Sequence, residues 1–233
     1  MIRFSKVLKF GLLLIITVLT VSCGSSVKVL NAWKGEQESV DKFKKKNVLV
    51  IARTANNQAR LAFENEIANQ MRSMGINATE SYSKAPKIYP NKEITEDRVN
   101  FMKMLMESEG FNAVVLTVVK DKSQTTVTEN TGIYFGASSN FYYPSYYGSF
   151  YNYYATPYAY GSYYNSFGGY VPISSNTRVV TDYVLETVMF NLDEPEEQQL
   201  VAVVTSKLDD PRDADKAAQA FVAKVTESLT SKK

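Results

Sequence analysis

The sequence predicts one α/β domain built on a mixed β-sheet, with a parallel βαβαβ part, an antiparallel hairpin and about three helices packed on it. Three observations predict it. Val48, Leu49, Val50, Ile51 and Ala52 form one continuous apolar run and residues 113–119 a second, as strands covered on both faces do. The segments between them carry helical periodicity, which implies right-handed crossovers and parallel pairing. Residues 177–192 and 200–205 then read as two strands rich in Val, Thr, Tyr and Phe, separated by the turn Asp193, Glu194, Pro195, Glu196.

The elements follow in order. After the first strand, Phe63, Ile67, Met71 and Met74 recur at spacings that place them on one helical stripe, and Gly75 supplies a stop. Residues 76–82 make a short strand, and Pro86 and Pro90 mark a loop. Thr95 opens a second helix with Glu96 and Asp97 in its first turn, where negative charge suits the dipole. Val99, Met102, Leu105 and Met106 form its apolar face, and Gly110 ends it. The last helix is expected to begin with Asp210 as N-cap and Pro211 at the first helical position, with Ala217, Phe221, Val225 and Leu229 facing the core.

The N-terminus reads as an address. Arg3, Lys6 and Lys9 precede an apolar run that closes at Ser22, Cys23 and Gly24, so residues 1–22 are expected to be a signal peptide. An apolar stretch of about a dozen residues is short against the roughly 20 that cross a bilayer. Cys23 is the chain's single cysteine, which leaves no disulfide to form. Leu19, Thr20, Val21, Ser22 and Cys23 resemble a lipobox, with Thr20 where Leu is usual. That resemblance implies cleavage before Cys23, then diacylglycerol and an N-acyl chain on it. Gly24 after the cysteine gives no reason for retention at the inner membrane, so the domain is expected on the outer membrane facing the periplasm, and no cofactor besides the lipid is expected.

Residues 23–46, ending in Lys42, Lys44, Lys45 and Lys46, are expected to be a lipidated tether, with Trp33 packed onto the domain. The domain proper is then 47–233. Removing the leader takes away three basic residues and no acid, so 23 Lys and Arg face 24 Asp and Glu and the net charge becomes 23 − 24 = −1. A near-neutral surface argues against nucleic acid as a partner.

Residues 134–172 form a Tyr-rich insertion holding 13 of the chain's 16 tyrosines, with no charged residue between Tyr134 and Tyr170. Long segments of this kind are low-complexity chain or functional loops. Tyr142, Tyr143, Tyr146, Tyr147, Tyr151, Tyr153 and Tyr154 are the candidate binding residues. Phenol rings with a hydrogen-bonding tip suit glycans, aromatic partner chains or a membrane interface. Self-association is the third reading.

Catalytic and metal chemistry is poorly supplied. The chain has no histidine, so the usual acid/base residue and zinc ligand is missing. No glycine-rich phosphate loop follows the first strand, whose exit is Arg53, Thr54, Ala55, Asn56 and Asn57. Ser81 and Lys84 match a Ser-x-x-Lys spacing, but the companion motifs of that chemistry are absent. Paired acids at Glu64 and Glu66, and near 193–197 and 209–210, read as solvated surface charge. No metal site and no enzyme is expected.

Lys46, Asn47, Val48, Leu49, Val50 and Ile51, followed by Arg60, Glu64, Met74, Gly75, Ser81 and Tyr82, resemble a class of small envelope lipoproteins. Their domain is similar to the N-terminal domain of TolB, as in curli-secretion and penicillin-binding-protein activator lipoproteins. The resemblance implies the same fold and no catalysis. The role expected is a non-enzymatic binding or assembly module whose aromatic loop meets an envelope protein or a glycan, with an oligomer of further copies of the chain as the second reading. By spacing alone, Arg60 and Glu64 are a surface i, i+4 pair.

Overall fold

The computed structural model describes residues 26–89, 92–128, 133–134, 148–155, 170–171 and 177–230. The leader, Cys23, Tyr142, Tyr143, Tyr146 and Tyr147 lie outside the described residues. The elements in chain order are β1 (Ser26–Lys34), α1 (Gln37–Phe43), β2 (Asn47–Arg53), α2 (Asn57–Ser73), β3 (Asn77–Glu80), α3 (Glu96–Glu109), β4 (Ala113–Thr128) and β5 (Ile133–Tyr134). They continue with α4 (Phe150–Ala155), β6 (Tyr170–Val171), β7 (Thr177–Asn191), β8 (Leu200–Asp209) and α5 (Ala214–Thr230).

Six strands make one mixed sheet in the order β1-β8-β7-β4-β2-β3, and β5 pairs with β6 separately. β2 is parallel to β3 and to β4, while β7, β8 and β1 are added antiparallel. The mixed α/β class expected from the sequence is therefore the fold. β3 and β4 leave β2 on opposite sides, so two crossovers of one hand place their helices on opposite faces of the sheet. Alternate residues of β2 serve both: Val48, Val50 and Ala52 point to the face of α2 and α5, Leu49 and Ile51 to the face of α3 and α4. That double burial is why the run carries no polar residue. On the first face Phe63 meets Phe221 at 5.2 Å between ring centroids; on the second Phe150 meets Phe190 at 5.9 Å.

Three expectations need correction. The stretch 23–46 is not a tether from Ser26 onward: β1 is an edge strand on β8, and Phe43 of α1 is buried. Val27, Val29 and Ala32 pack on one face and Trp33 on the other. An edge strand buries only part of each face, so its polar neighbours hide the pattern. Lys42, Lys44 and Lys46 are ion-paired, to Glu38 and Glu194, to Asp41 and to Asp193. Second, the last helix starts at Ala214. Asp213 Oδ1 accepts from Lys216 N at 3.0 Å, whereas Asp210 sits at φ 37° and takes Thr181 N on its side chain. Third, Met74 lies past the end of α2 and is half exposed, with Gly75 turning the chain at φ 79°.

Phe221→Ala opens a cavity between α2 and α5 and is expected to lower unfolding free energy by about 3–5 kcal/mol. Met74→Ala is expected to stay within about 0.5 kcal/mol. Urea midpoints with unchanged slopes check both.

Candidate functional site

The carboxyl ends of β2 and β4, where the chain departs to opposite sides, form the topological switch point at which open α/β sheets hold ligands. A crevice of about 170 Å³ opens there, lined among others by Ala52, Thr54, Asn56, Thr117, Tyr183 and Arg212. It is smaller than the several hundred Å³ of an ordinary ligand pocket. Its lining holds two arginines, Arg53 and Arg212, and no carboxylate, amine or thiol. Arg212 is bound to Asp210 at 3.2 Å, and Asn56 Oδ1 already takes the first amides of α2, from Gln58 and Ala59. Burial pushes the Tyr183 phenol up from its ordinary pKa. The crevice can seat a small group but offers no nucleophile with a base beside it.

Behind it lies the polar core of the domain. Glu64 is wholly buried. Its Oε1 accepts from Ala52 N at 3.0 Å, Arg60 Nε at 3.0 Å and Ser81 Oγ at 2.9 Å, and its Oε2 from Tyr82 N at 2.7 Å. Arg60 also donates to Ser81 Oγ and Ala85 O. The surface-pair reading of Arg60 and Glu64 is therefore wrong. Spacing sets them on one helix face but cannot say which way it looks, and here it looks at the end of β2 and the 3-10 turn Ser81–Ser83. The Ser-x-x-Lys pair is also separated: Ser81 Oγ serves Glu64, while Lys84 reaches Glu109 at 2.9 Å.

Arg53, fully buried at the last position of β2, donates to Tyr89 O, Lys92 O and Tyr154 O at 3.2, 2.8 and 3.1 Å. One guanidinium thus fastens the loop before α3 and the end of α4 to the sheet. A second network lies under α4. Glu186 is buried on β7, accepts from the Tyr153 hydroxyl and pairs with Lys120 at 3.1 Å. Phe150 N donates to Gln199 Oε1.

No sequence pattern assigns a role to Arg53, Glu186 or Lys120. The signal for Glu186 is a lone acid between Val184, Leu185, Thr187 and Val188, where a doubly covered strand should carry none. These contacts also correct part of the aromatic reading. Tyr153 and Tyr154 are 5 % and 1 % exposed, so their rings are core and cannot stack on a partner. Tyr151 is half-buried, with Lys103 over its ring at 5.2 Å. Burial raises the Tyr154 phenol to about 12, against a smaller opposite pull from Arg98, Arg53 and Arg60.

What projects from the domain is a ribbon. β8 stops pairing with β7 at Tyr183, and β2 stops pairing with β4 at Val118, yet β4 and β7 stay paired out to Thr128 and Thr177. Lys207 closes the base of this ribbon between Asp182 and Asp209, at 2.9 and 2.6 Å. Val179, on the ribbon, is 64 % exposed. The Tyr-rich segment joins its two strands, with Ile133 and Tyr134 paired to Val171 and Tyr170. Among the described residues no three His, Cys, Asp or Glu could together hold a metal ion, and no helix is long and apolar enough to cross a membrane.

No protein-family model matches this chain, and no curated protein matches it. Among solved structures, the PelC dodecamer from Paraburkholderia phytofirmans aligns with a TM-score of 0.37 and 11% identity over 90% of this chain and 99% of that one. A DUF4136 family protein from Bacteroides thetaiotaomicron aligns with a TM-score of 0.33 and 14% identity over 88% of this chain and 96% of that one.

Glu64→Ala leaves Arg60 charged and unpaired in the core, with two backbone amides open, and is expected to cost about 3–5 kcal/mol in denaturant unfolding. The phenol of Tyr154 gives a pH test. Its folded pKa of about 12 lies above the ordinary 10, so the unfolded chain loses this proton first and the stabilisation, full below pH 10, is lost as pH rises toward 12. Unfolding curves of Tyr154→Phe against the parent should show a stability gap that changes across that window and is constant below it.

Proposed function

We propose that this chain is a lipoprotein of a bacterial cell envelope, held through acylated Cys23 on an outer membrane and facing the periplasm, and that it works as a non-enzymatic binding or assembly module. The ribbon of β4 and β7 carries this reading. It carries the two strands that lead into a long uncharged, tyrosine-rich segment out beyond a rigid sheet, while α4 in the middle of that segment packs back onto the core. Loops held on a rigid scaffold are where contact surfaces are presented. The polar core supports it from the other side, because Glu64, Arg60, Arg53 and Glu186 all spend their hydrogen bonds on protein groups. A carboxylate already taking four donors is a poor general base. The resemblance to TolB-type envelope domains agrees with a role without catalysis. An oligomeric structural or secretion-related role is the alternative, favoured by the outer edges of the ribbon, which pair with no other strand among the described residues and are templates for pairing with further chains.

The test spares α4, whose Phe150, Tyr153 and Tyr154 are core. Replacing residues 136–146 and 157–169 by Gly-Ser linkers is expected to leave cooperative unfolding intact and to abolish the protein's crosslinks to its envelope partners. Retention of the same crosslinks would rule out the module as described. Cys23→Ser is expected to move the protein from the membrane fraction to the soluble one, read by fractionation and by loss of incorporated fatty acid.

A further inference from the structure

The start of β1 and the base of the ribbon lie at the same end of the sheet. Ser26 pairs with Asp209, Leu208 with Tyr183, and Asp182 with Ser123, so these positions are roughly level. Only Gly24 and Ser25 separate Ser26 from Cys23. Three residue steps span at most about 10 Å. Beyond Ser123 the ribbon continues for five more residue pairs, to Thr128 and Thr177, which is about 17 Å at roughly 3.4 Å per residue. β7 stands two strands from β1, and a twist of about 20–25° per strand inclines the ribbon by some 45°. The projection that remains is still about 12 Å, as long as the link to the anchor.

From this geometry we infer that the outer half of the β4–β7 ribbon rests in the headgroup layer of the leaflet that holds the Cys23 acyl chains, so that the partner of this surface is the lipid itself. The inference rests on acylation of Cys23 as proposed above. An anchor this short cannot stand the domain off the bilayer, and the ribbon points the same way as the anchor. Its composition suits that layer. Residues 124–128 and 177–181 carry one charge, Arg178, and the segment joining the two strands is rich in tyrosine, a residue that settles at membrane interfaces. Val179 stands exposed on the ribbon.

The anchor and the ribbon together set the orientation: the carboxyl ends of β2 and β4 face the membrane, and the turn between β7 and β8 faces away.

The experiment uses the full acylated protein in phosphatidylethanolamine–phosphatidylglycerol vesicles. Because the native cysteine is acylated, Val179→Cys and Glu196→Cys each give one site for an environment-sensitive fluorophore. The label at 179 is expected to emit at shorter wavelength, and to be quenched at least roughly twofold more by headgroup-level spin-labelled lipid than the label at 196. Equal, water-like signals from both sites on protein that floats with the vesicles, with Cys23 acylated by intact mass, would overturn the inference while leaving the lipoprotein reading standing. Protein that does not float and carries an unmodified Cys23 would overturn both.

Discussion

The buried carboxylate of Glu64 is the constraint around which this end of the domain is arranged. A charge removed from water is tolerated only when donors replace the lost hydration. Here four do: the amides of Ala52 and Tyr82, the Arg60 guanidinium and the Ser81 hydroxyl. Those donors belong to β2, to α2 and to the turn after β3. One side chain therefore sets how far β2 runs, where α2 sits against it and where β3 stops. Arg53 extends the same logic to the other face, since its donors reach the loop before α3 and the end of α4.

This polar wiring explains why an insertion so rich in glycine and tyrosine coexists with a fixed fold. Its middle returns to the sheet as α4, where Phe150, Tyr153 and Tyr154 fill the second face and Gln199, Glu186 and Arg53 take its polar groups. The tyrosines thus divide by position. Some complete a core, and the stretches that flank α4 between Tyr134 and Tyr170 carry no charged residue. The ribbon is stiffened at its base by Lys207 between two aspartates, whose attraction outweighs the burial that pulls the ammonium down and raises its pKa. A rigid base is what holds the ribbon in one direction relative to the sheet.

Much of the fold is legible along the chain. The two continuous apolar runs could only be strands covered twice, and the stripes of Phe63, Ile67 and Met71, and of Met102, Leu105 and Met106, could only be helices facing a sheet. β1 was hidden because an edge strand pairs on one side and mixes polar and apolar residues. The helix start at Asp213 was hidden because Asp210 and Pro211 carry the same chemical signature three residues earlier, and the bond of Asp210 to the distant β7 decides between them.

The sequence by itself determined the periodicities, and with them the layers: which residues must leave water, and at what spacing along the chain. It also placed a lone cysteine at the edge of an apolar leader, and an uncharged aromatic segment between two long strands. Only the tertiary structure decided which polar residues join the core, that Arg60 and Glu64 look inward, that Tyr153 and Tyr154 are packing, and that the N-terminal strand and the ribbon share one end of the sheet. The reason is physical. Hydrophobic periodicity is a local property of the chain, whereas the groups that make a buried charge tolerable, or the strand that sets a register, are brought up from other elements and chosen by the fold.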